Sequence, residues 1–332
     1  CNVPRRLTLQ AYFEGIRNRD RSVLGRAISL IESRRKDDQL LAEELLTRCM
    51  PFTGKSIRVG ITGVPGVGKS TLMDRLGMQL IEKGLSIAVL AIDPSSSRTG
   101  GSILGDKTRM ENLSVHANAF VRPSPTDRHL GGVARKTRET MLLCEAAGFD
   151  VVLVESVGVG QSEIVLAGMV DCFVALMLPN AGDELQGIKK GLLEWVDILA
   201  VNKADGKNAI VANRSRVEYQ SALHYVPHRH ADWIPKTLCV SGLKGEGLEA
   251  LWSGVEEHRN MLMQSGSLEK LRTEQRLEWL NSVLRDRLWE QFCSHNGVKD
   301  TFQTVEESIS CGDLSVRQGA RTLLNLFRDS NL

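Results

Sequence analysis

The run Gly63-Val64-Pro65-Gly66-Val67-Gly68-Lys69-Ser70 fits G-x-x-x-x-G-K-[ST] at every fixed position, and nothing else in the chain restricts its fold as tightly. It follows the apolar run Ile57–Thr62 and opens Lys69–Lys83, where apolar residues recur at helical spacing. A strand must therefore turn through glycines directly into a helix. Glycine lets the backbone fold tightly enough for its N–H groups to converge, and the helix N-terminus adds partial positive charge. Both features suit the phosphates of a nucleotide. In that reading residues 63–68 and Thr71 form the cradle and Lys69 reaches the β- and γ-phosphates. The Ser70 hydroxyl ligates Mg²⁺.

Seven apolar runs read as strands: Ile57–Ile61, Ile87–Ile92, Ala119–Val121, Val151–Val154, Cys172–Leu178, Ile198–Val201 and Thr237–Val240. Helical stretches separate several of them, at Lys69–Lys83, Val133–Ala147 and Gly187–Glu194, and Leu248–Gln264 closes the set. Strands too apolar to alternate indicate a largely parallel sheet covered on both faces, an α/β fold of the P-loop NTPase kind. Leu7–Met50 reads as two or three helices. Beyond Ser267 the pattern is again helical: Leu268–Trp289, an end near Gly297, then Phe302–Ile309 and Ser315–Phe327. The expected division is 1–54 helical extension, 55–265 catalytic domain and 266–332 helical arm. A helical tail without catalytic residue types is expected to be packing surface or an oligomer interface.

Strand ends hold the remaining candidates. Asp93 and Glu155 close two strands at the edge where parallel sheets bind ligands. Asp106 lies in the Ser/Gly-rich segment Pro94–Thr108, placed to close over a γ-phosphate. With Ser70 these carboxylates make a magnesium shell. Asn202-Lys203-Ala204-Asp205 follows a strand and fits N-K-x-D. A carboxylate there accepts from guanine N1–H and its 2-amino group, a donor pair that adenine lacks. Ser241-Gly242-Leu243, after the last strand, would wall the base.

A net charge of +2 gives no basic field for nucleic acid. No run approaches the ~20 apolar residues of a membrane span, so a soluble protein is expected. The seven cysteines are scattered, and Cys144, Cys172 and Cys239 sit in apolar runs, the pattern of buried reduced thiols. Residue 1 is Cys rather than Met, which a removed targeting peptide or a trimmed chain explains equally well.

With these residues in place the sequence resembles the methylmalonyl-CoA mutase-associated GTPases, a family also described as arginine/ornithine transport kinases and including the human methylmalonic aciduria type A protein. The resemblance rests on Gly60–Thr71, DPSSSRTGGSILGDKTRM (Asp93–Met110), Arg122–Gly132, Leu143–Gln161, DELQGIKKG (Asp183–Gly191) and Asn202–Asp205. It implies a GTPase of the signal-recognition-particle class that binds GTP/GDP with Mg²⁺ and forms a homodimer through its C-terminal helices. It also implies that methylmalonyl-CoA mutase is the partner and that adenosylcobalamin is met only through it. GTP hydrolysis would gate cofactor loading and protect or reactivate the mutase. By position Lys69, Asp93, Asp106 and Glu155 resemble the phosphate and magnesium residues. Asp183, Gln186, Lys189 and Lys190 fall in the segment that rearranges on mutase binding. The expected location is the mitochondrial matrix in a eukaryote and the cytoplasm in a bacterium.

Ser156 departs from the family's usual Thr but keeps the hydroxyl. Asp127-Arg-His129-Leu-Gly131-Gly132 also spells the cobalamin-ligating D-x-H-x-x-G. It lies inside the catalytic domain, so an ordinary loop is the stronger reading. His228 and His230 lack further ligands nearby and read as solvated loop residues. Two other functions compete. A kinase acting on a transport-binding protein needs an acceptor base, and none stands out as a motif. A nickel metallochaperone needs a Cys/His cluster beside the phosphate loop, and that region has none.

Overall fold

The computed structural model describes residues 6–92, 110–122, 130–156, 162–179 and 190–329, and the side chains of 130, 131, 190 and 329 fall outside that description. Two compact units emerge, residues 1–275 and 276–332.

In the larger unit the described residues form seven parallel strands: β1 (Ile57–Gly63), β2 (Ile87–Ile92), β3 (Ala119–Arg122), β4 (Val151–Ser156), β5 (Cys172–Met177), β6 (Ile198–Val201) and β7 (Lys236–Cys239). Their order is β3-β2-β4-β1-β5-β6-β7. The strand carrying the glycine loop is thus flanked by β4 and β5, with Ile61 opposite Glu155 and Gly63 opposite Leu176. Successive strand residues point to opposite faces, and both faces are apolar. Ala88, Leu90, Val152, Val154 and Phe173 join one core, whereas Val59, Ile61, Val89, Leu153 and Val174 join another. β2, β4, β5 and β6 are buried on both faces almost throughout, which is why their apolar runs do not alternate.

The first core is completed by the N-terminal helices α1 (Leu9–Arg17), α2 (Arg21–Glu32) and α3 (Lys36–Cys49). Asp20 caps α2 by accepting from the N–H groups of Ser22 and Val23 at 2.8 and 3.1 Å. Leu24, Ile28 and Ile31 line the buried face of that helix. The second core takes α4 (Lys69–Glu82), with α5 (Glu111–Val115) against it. Asp74 on α4 accepts from Asn112 Nδ2 at 2.7 Å and from the Leu113 N–H at 2.9 Å, tying the two together. Among the described residues the unit's further α-helices are α6 (Leu130–Ala146), α7 (Ser162–Ala167), α8 (Lys190–Leu193), α9 (Ala209–Leu223) and α10 (Leu248–Gln264).

Next comes α11 (Ser267–Ser294), a continuous helix. Its early residues Arg272 and Gln275 are buried and belong to the larger unit. The smaller unit contains the rest of α11 with α12 (Asn296–Ser310) and α13 (Val316–Asp329). Its core is small: Val298, Val305 and Leu323, with Phe292, Phe302 and Phe327 packed around them. Gly297 does not end the helical region; it lies in the first turn of α12, after the cap residue His295. Leu277, Leu280, Leu284 and Leu288 leave an apolar stripe on α11 exposed.

Candidate functional site

The turn between β1 and α4 uses glycine where other residues would be strained. Gly63, Gly66 and Gly68 have φ of 149°, 81° and 98°. At Gly68, the residue preceding α4, a Cβ would also fall 2.8 Å from Asn202 Nδ2. Lys69 is 7% exposed, and its Nζ donates to the carbonyls of Gly63 at 2.7 Å and Val64 at 3.4 Å. The ammonium therefore folds back over its own loop. An anion at this place would meet the N-terminus of α4 and that ammonium together.

Asn202 ties this loop to the N-K-x-D segment. Its Nδ2 donates to the Val67 carbonyl at 2.8 Å, and its Oδ1 accepts from the Gly242 N–H at 2.9 Å. One buried amide thus locks three loops in register. Lys203 stands in the left-handed region with φ 60°, and its Nζ donates to the Gly66 carbonyl at 2.8 Å. Asp205 accepts from Ser241 Oγ at 2.7 Å through Oδ1. Among the described residues its other oxygen accepts nothing, so the carboxylate is aimed yet still able to accept. Ser241 Oγ is itself held by the Lys244 N–H at 3.0 Å. Gly242 is packed so closely that a Cβ would lie 2.9 Å from Leu72 Cα, which pins this loop onto α4. Leu243 is exposed at 71%, an apolar side chain beside these polar groups.

Thr62 and Ser156, at the carboxyl ends of β1 and β4, share a buried hydrogen bond of 2.8 Å. Glu155 stands beside it, with Ile61 and Ala91 as its strand partners. Ser70 and Glu155 therefore reach the same edge of the sheet. Asp93, Asp106, Asp183, Gln186 and Lys189 lie outside the described residues, as do Gln161 and the Asp127–His129 segment. Lys190 opens α8. Two tethers escaped the motif reading: the Asn202 bridge and the Ser241 hydroxyl that aims Asp205. Both span dozens of residues, and only the residue types themselves hinted at them. His230 corrects the expectation of a solvated loop, because its ring lies 3.7 Å from the buried Asp197.

A family model described as methylmalonyl Co-A mutase-associated GTPase MeaB matches residues 24–297. A Caulobacter vibrioides protein assigned as a GTPase is 54% identical over 308 residues, covering 93% of this chain and 94% of that protein. The Escherichia coli GTPase ArgK is 43% identical over 316 residues, 95% of this chain and 96% of that protein. The mitochondrial methylmalonic aciduria type A homolog of Mus musculus is 40% identical over 326 residues, 95% of this chain and 79% of that protein. A crystal structure of a LAO/AO transport system kinase aligns with a TM-score of 0.78 at 36% identity, covering 98% of this chain and 100% of that one. Among the described residues no helix is long and apolar enough to cross a membrane.

Proposed function

The chain belongs to the methylmalonyl-CoA mutase-associated GTPase family, and on that premise we propose that it is a G-protein chaperone of adenosylcobalamin-dependent methylmalonyl-CoA mutase. As a GTPase of this family it converts GTP and water to GDP and phosphate. The proposed chaperone couples that reaction to cofactor loading and to protection or reactivation of the mutase. Adenosylcobalamin is met only through the mutase. The family match over residues 24–297 carries this reading.

The site's own residues supply the chemistry. Residues 63–68 and Thr71 cradle the phosphates, and Lys69 leaves the carbonyls of Gly63 and Val64 to neutralise charge on the transferred group. Asp205, aimed by Ser241, accepts from guanine, while Asn202 keeps the base loop and phosphate loop at a fixed spacing. Lys203 and Leu243 flank the base. Ser70, Asp93, Asp106 and Glu155 would hold magnesium. An all-oxygen donor set is what that ion takes, and Ser70 and Glu155 reach one edge of the sheet. Magnesium, when bound, spreads the charge of the β- and γ-phosphates. Asp183, Gln186, Lys189 and Lys190 form the segment that answers the mutase.

A homodimer fits the smaller unit. Its exposed leucine stripe borders a groove of about 580 Å³ lined by Trp289, Phe292, Phe302 and Phe327. Exposed apolar surface of this kind commonly marks an interface, and a second copy is the proposed occupant. The proposed location is the cytoplasm in a bacterium and the mitochondrial matrix in a eukaryote.

Co-sedimentation with methylmalonyl-CoA mutase in GDP and in a non-hydrolysable GTP analogue tests the chaperone. Association that differs between the two nucleotides is expected. Absence of association in both would overturn the partner. Labelled γ-phosphate appearing on protein rather than in free phosphate would favour the kinase named for the LAO/AO relative.

A further inference from the structure

At the amino edge of the sheet, away from the nucleotide loops, a second set of side chains converges. Asp197 directly precedes β6 and is 1% exposed. Its Oδ2 accepts from the Phe173 N–H at 2.8 Å and from Arg229 Nη1 at 3.1 Å. Its Oδ1 has no hydrogen-bond partner, and neither do His230 Nε2 and both ring nitrogens of His258. Yet His258 Nε2 lies 3.4 Å from Oδ1 and His230 Nε2 lies 3.7 Å from it. His258, on α10, is 0% exposed. Cys172, the first residue of β5, completes the group: one ligand atom each from Cys172, Asp197 and His258 lies within 4.8 Å of the others.

Buried polar atoms are rarely left unpaired, and two of them here, His258 Nε2 and His230 Nε2, lie near the unpaired Asp197 Oδ1. The spacing has a meaning for a metal. Bonds of about 2.0–2.1 Å to a tetrahedral ion put nitrogen and oxygen ligands ~3.3–3.4 Å apart, and a thiolate somewhat further. The 3.4 Å between His258 Nε2 and Asp197 Oδ1 is close to such an edge. A thiol, an imidazole and a carboxylate suit a borderline-soft ion such as zinc, whereas magnesium prefers oxygen alone. Arg229 and the Phe173 amide hold the carboxylate by one oxygen and leave the other to ligate, the usual work of groups behind a metal ligand. Trp233 closes the site, with its ring edge-on to His258 at 4.9 Å and its Nε1 donating to the Asp197 carbonyl at 2.8 Å.

We propose that Cys172, Asp197 and His258 bind one divalent transition-metal ion of the zinc class, with His230 packed beside them. The ion ties β5, β6 and α10 together and serves the fold rather than hydrolysis. Cys172 pairs with Val59 and Leu176 with Gly63, so the cluster lies four residues, ~13 Å, along the strand from the phosphate loop. Binding replaces the Cys172 thiol proton: the Sγ–H bond breaks, an Sγ–metal bond forms, and the proton leaves to solvent.

The test uses the full chain, stripped with a chelator, kept nucleotide-free and titrated with Co²⁺ alone. One Co²⁺ per chain should bind, giving tetrahedral d–d bands and a near-ultraviolet thiolate-to-cobalt band that Zn²⁺ abolishes. Zn²⁺ should also raise the melting temperature of the stripped protein. Cys172→Ser should lose the thiolate band and more than ~10-fold in Co²⁺ affinity, with GTP turnover unchanged. His258→Gln should keep the thiolate band but bind more weakly, which covers the case of a poorly folding Cys172 variant. No stoichiometric Co²⁺ on wild type, or a thiolate band that survives Cys172→Ser, would leave the cluster as a bare ion pair and overturn the site.

Discussion

The carboxyl and amino edges of the sheet use the same residue types in different ways. At the carboxyl edge Asn202, Lys203 and Ser241 each bond to a loop, and the carboxylate they surround, Asp205, keeps one oxygen open. At the amino edge the carboxylates of Asp171 and Glu145 are fully engaged. Arg272 forks onto Asp171 at 2.9 and 2.7 Å, the Arg58 N–H adds a bond of 3.0 Å, and Arg272 Nη2 continues to the Ser56 carbonyl at 2.8 Å. Glu145 takes Arg58 at 2.7 and 2.9 Å and the Gly54 N–H at 2.8 Å. A side chain oriented by one partner and left free at another atom is poised to act on a ligand. A side chain with every atom matched holds the fold. Asp197, matched on one oxygen only, stands between these two cases.

That contrast can be broken by substitution, and the largest effect is expected at the amino edge. Asp171→Ala leaves Arg272 buried without its partner, so urea denaturation should show a loss of about 3–5 kcal/mol. Turnover per folded molecule should stay near wild type, and a collapse in kcat would blur the distinction between the edges. The same pair predicts an acid limit. Burial opposes ionisation of Asp171, but the Arg272 hydrogen bonds and the Arg272 and Arg58 charges outweigh it and hold the carboxyl below its ordinary value. Its contribution is therefore complete above the unfolded carboxylate value near ~3.9 and is lost as pH falls towards the lower folded value. Acid titration of wild type and Asp171→Asn should show the shallower loss in the variant.

Lys69→Ala should leave stability nearly intact and remove ~2–4 kcal/mol of transition-state stabilisation, about 30- to 10³-fold in kcat. Retained turnover would break the phosphate assignment. Asp205→Asn should cost GTP about 1.5–3 kcal/mol of binding and favour xanthosine triphosphate. Its amide can donate to the oxygen that xanthine carries in place of the guanine amino group. Equal GTP affinity in the variant would contradict the base site. Ser241→Ala, which frees Asp205 without removing it, should cost only about 0.5–1.5 kcal/mol in GTP affinity, with ATP unaffected. An Asp205-sized effect would instead make Ser241 a direct contact.

How legible each feature was in the sequence follows from its range along the chain. The glycine loop and N-K-x-D are local devices, since the residues of each motif are neighbours in sequence. Apolar runs marked the strands because both faces are buried, so β2 and β6 match the expected bounds and β1 runs two residues past Ile61. Gly297 misled because glycine more often follows a helix than sits in its first turn. Strand order, the Asn202 bridge across 135 residues and the Asp205–Ser241 bond across 36 are long-range and leave no periodic trace. Asp197 and His258 were silent for the same reason. Burying them depends on partners supplied by other elements, and hydrophobic periodicity treats any charged residue as outward-facing.

The central claim couples the carboxyl edge to a partner, and steady-state GTP hydrolysis with and without methylmalonyl-CoA mutase tests it most directly. Binding energy from a partner can order loops that must position water and neutralise charge. Mutase is therefore predicted to raise kcat of wild type, with Lys189→Ala and Lys190→Ala keeping the basal rate but losing part of the rise. A wild-type rate unchanged by saturating mutase would contradict the coupling.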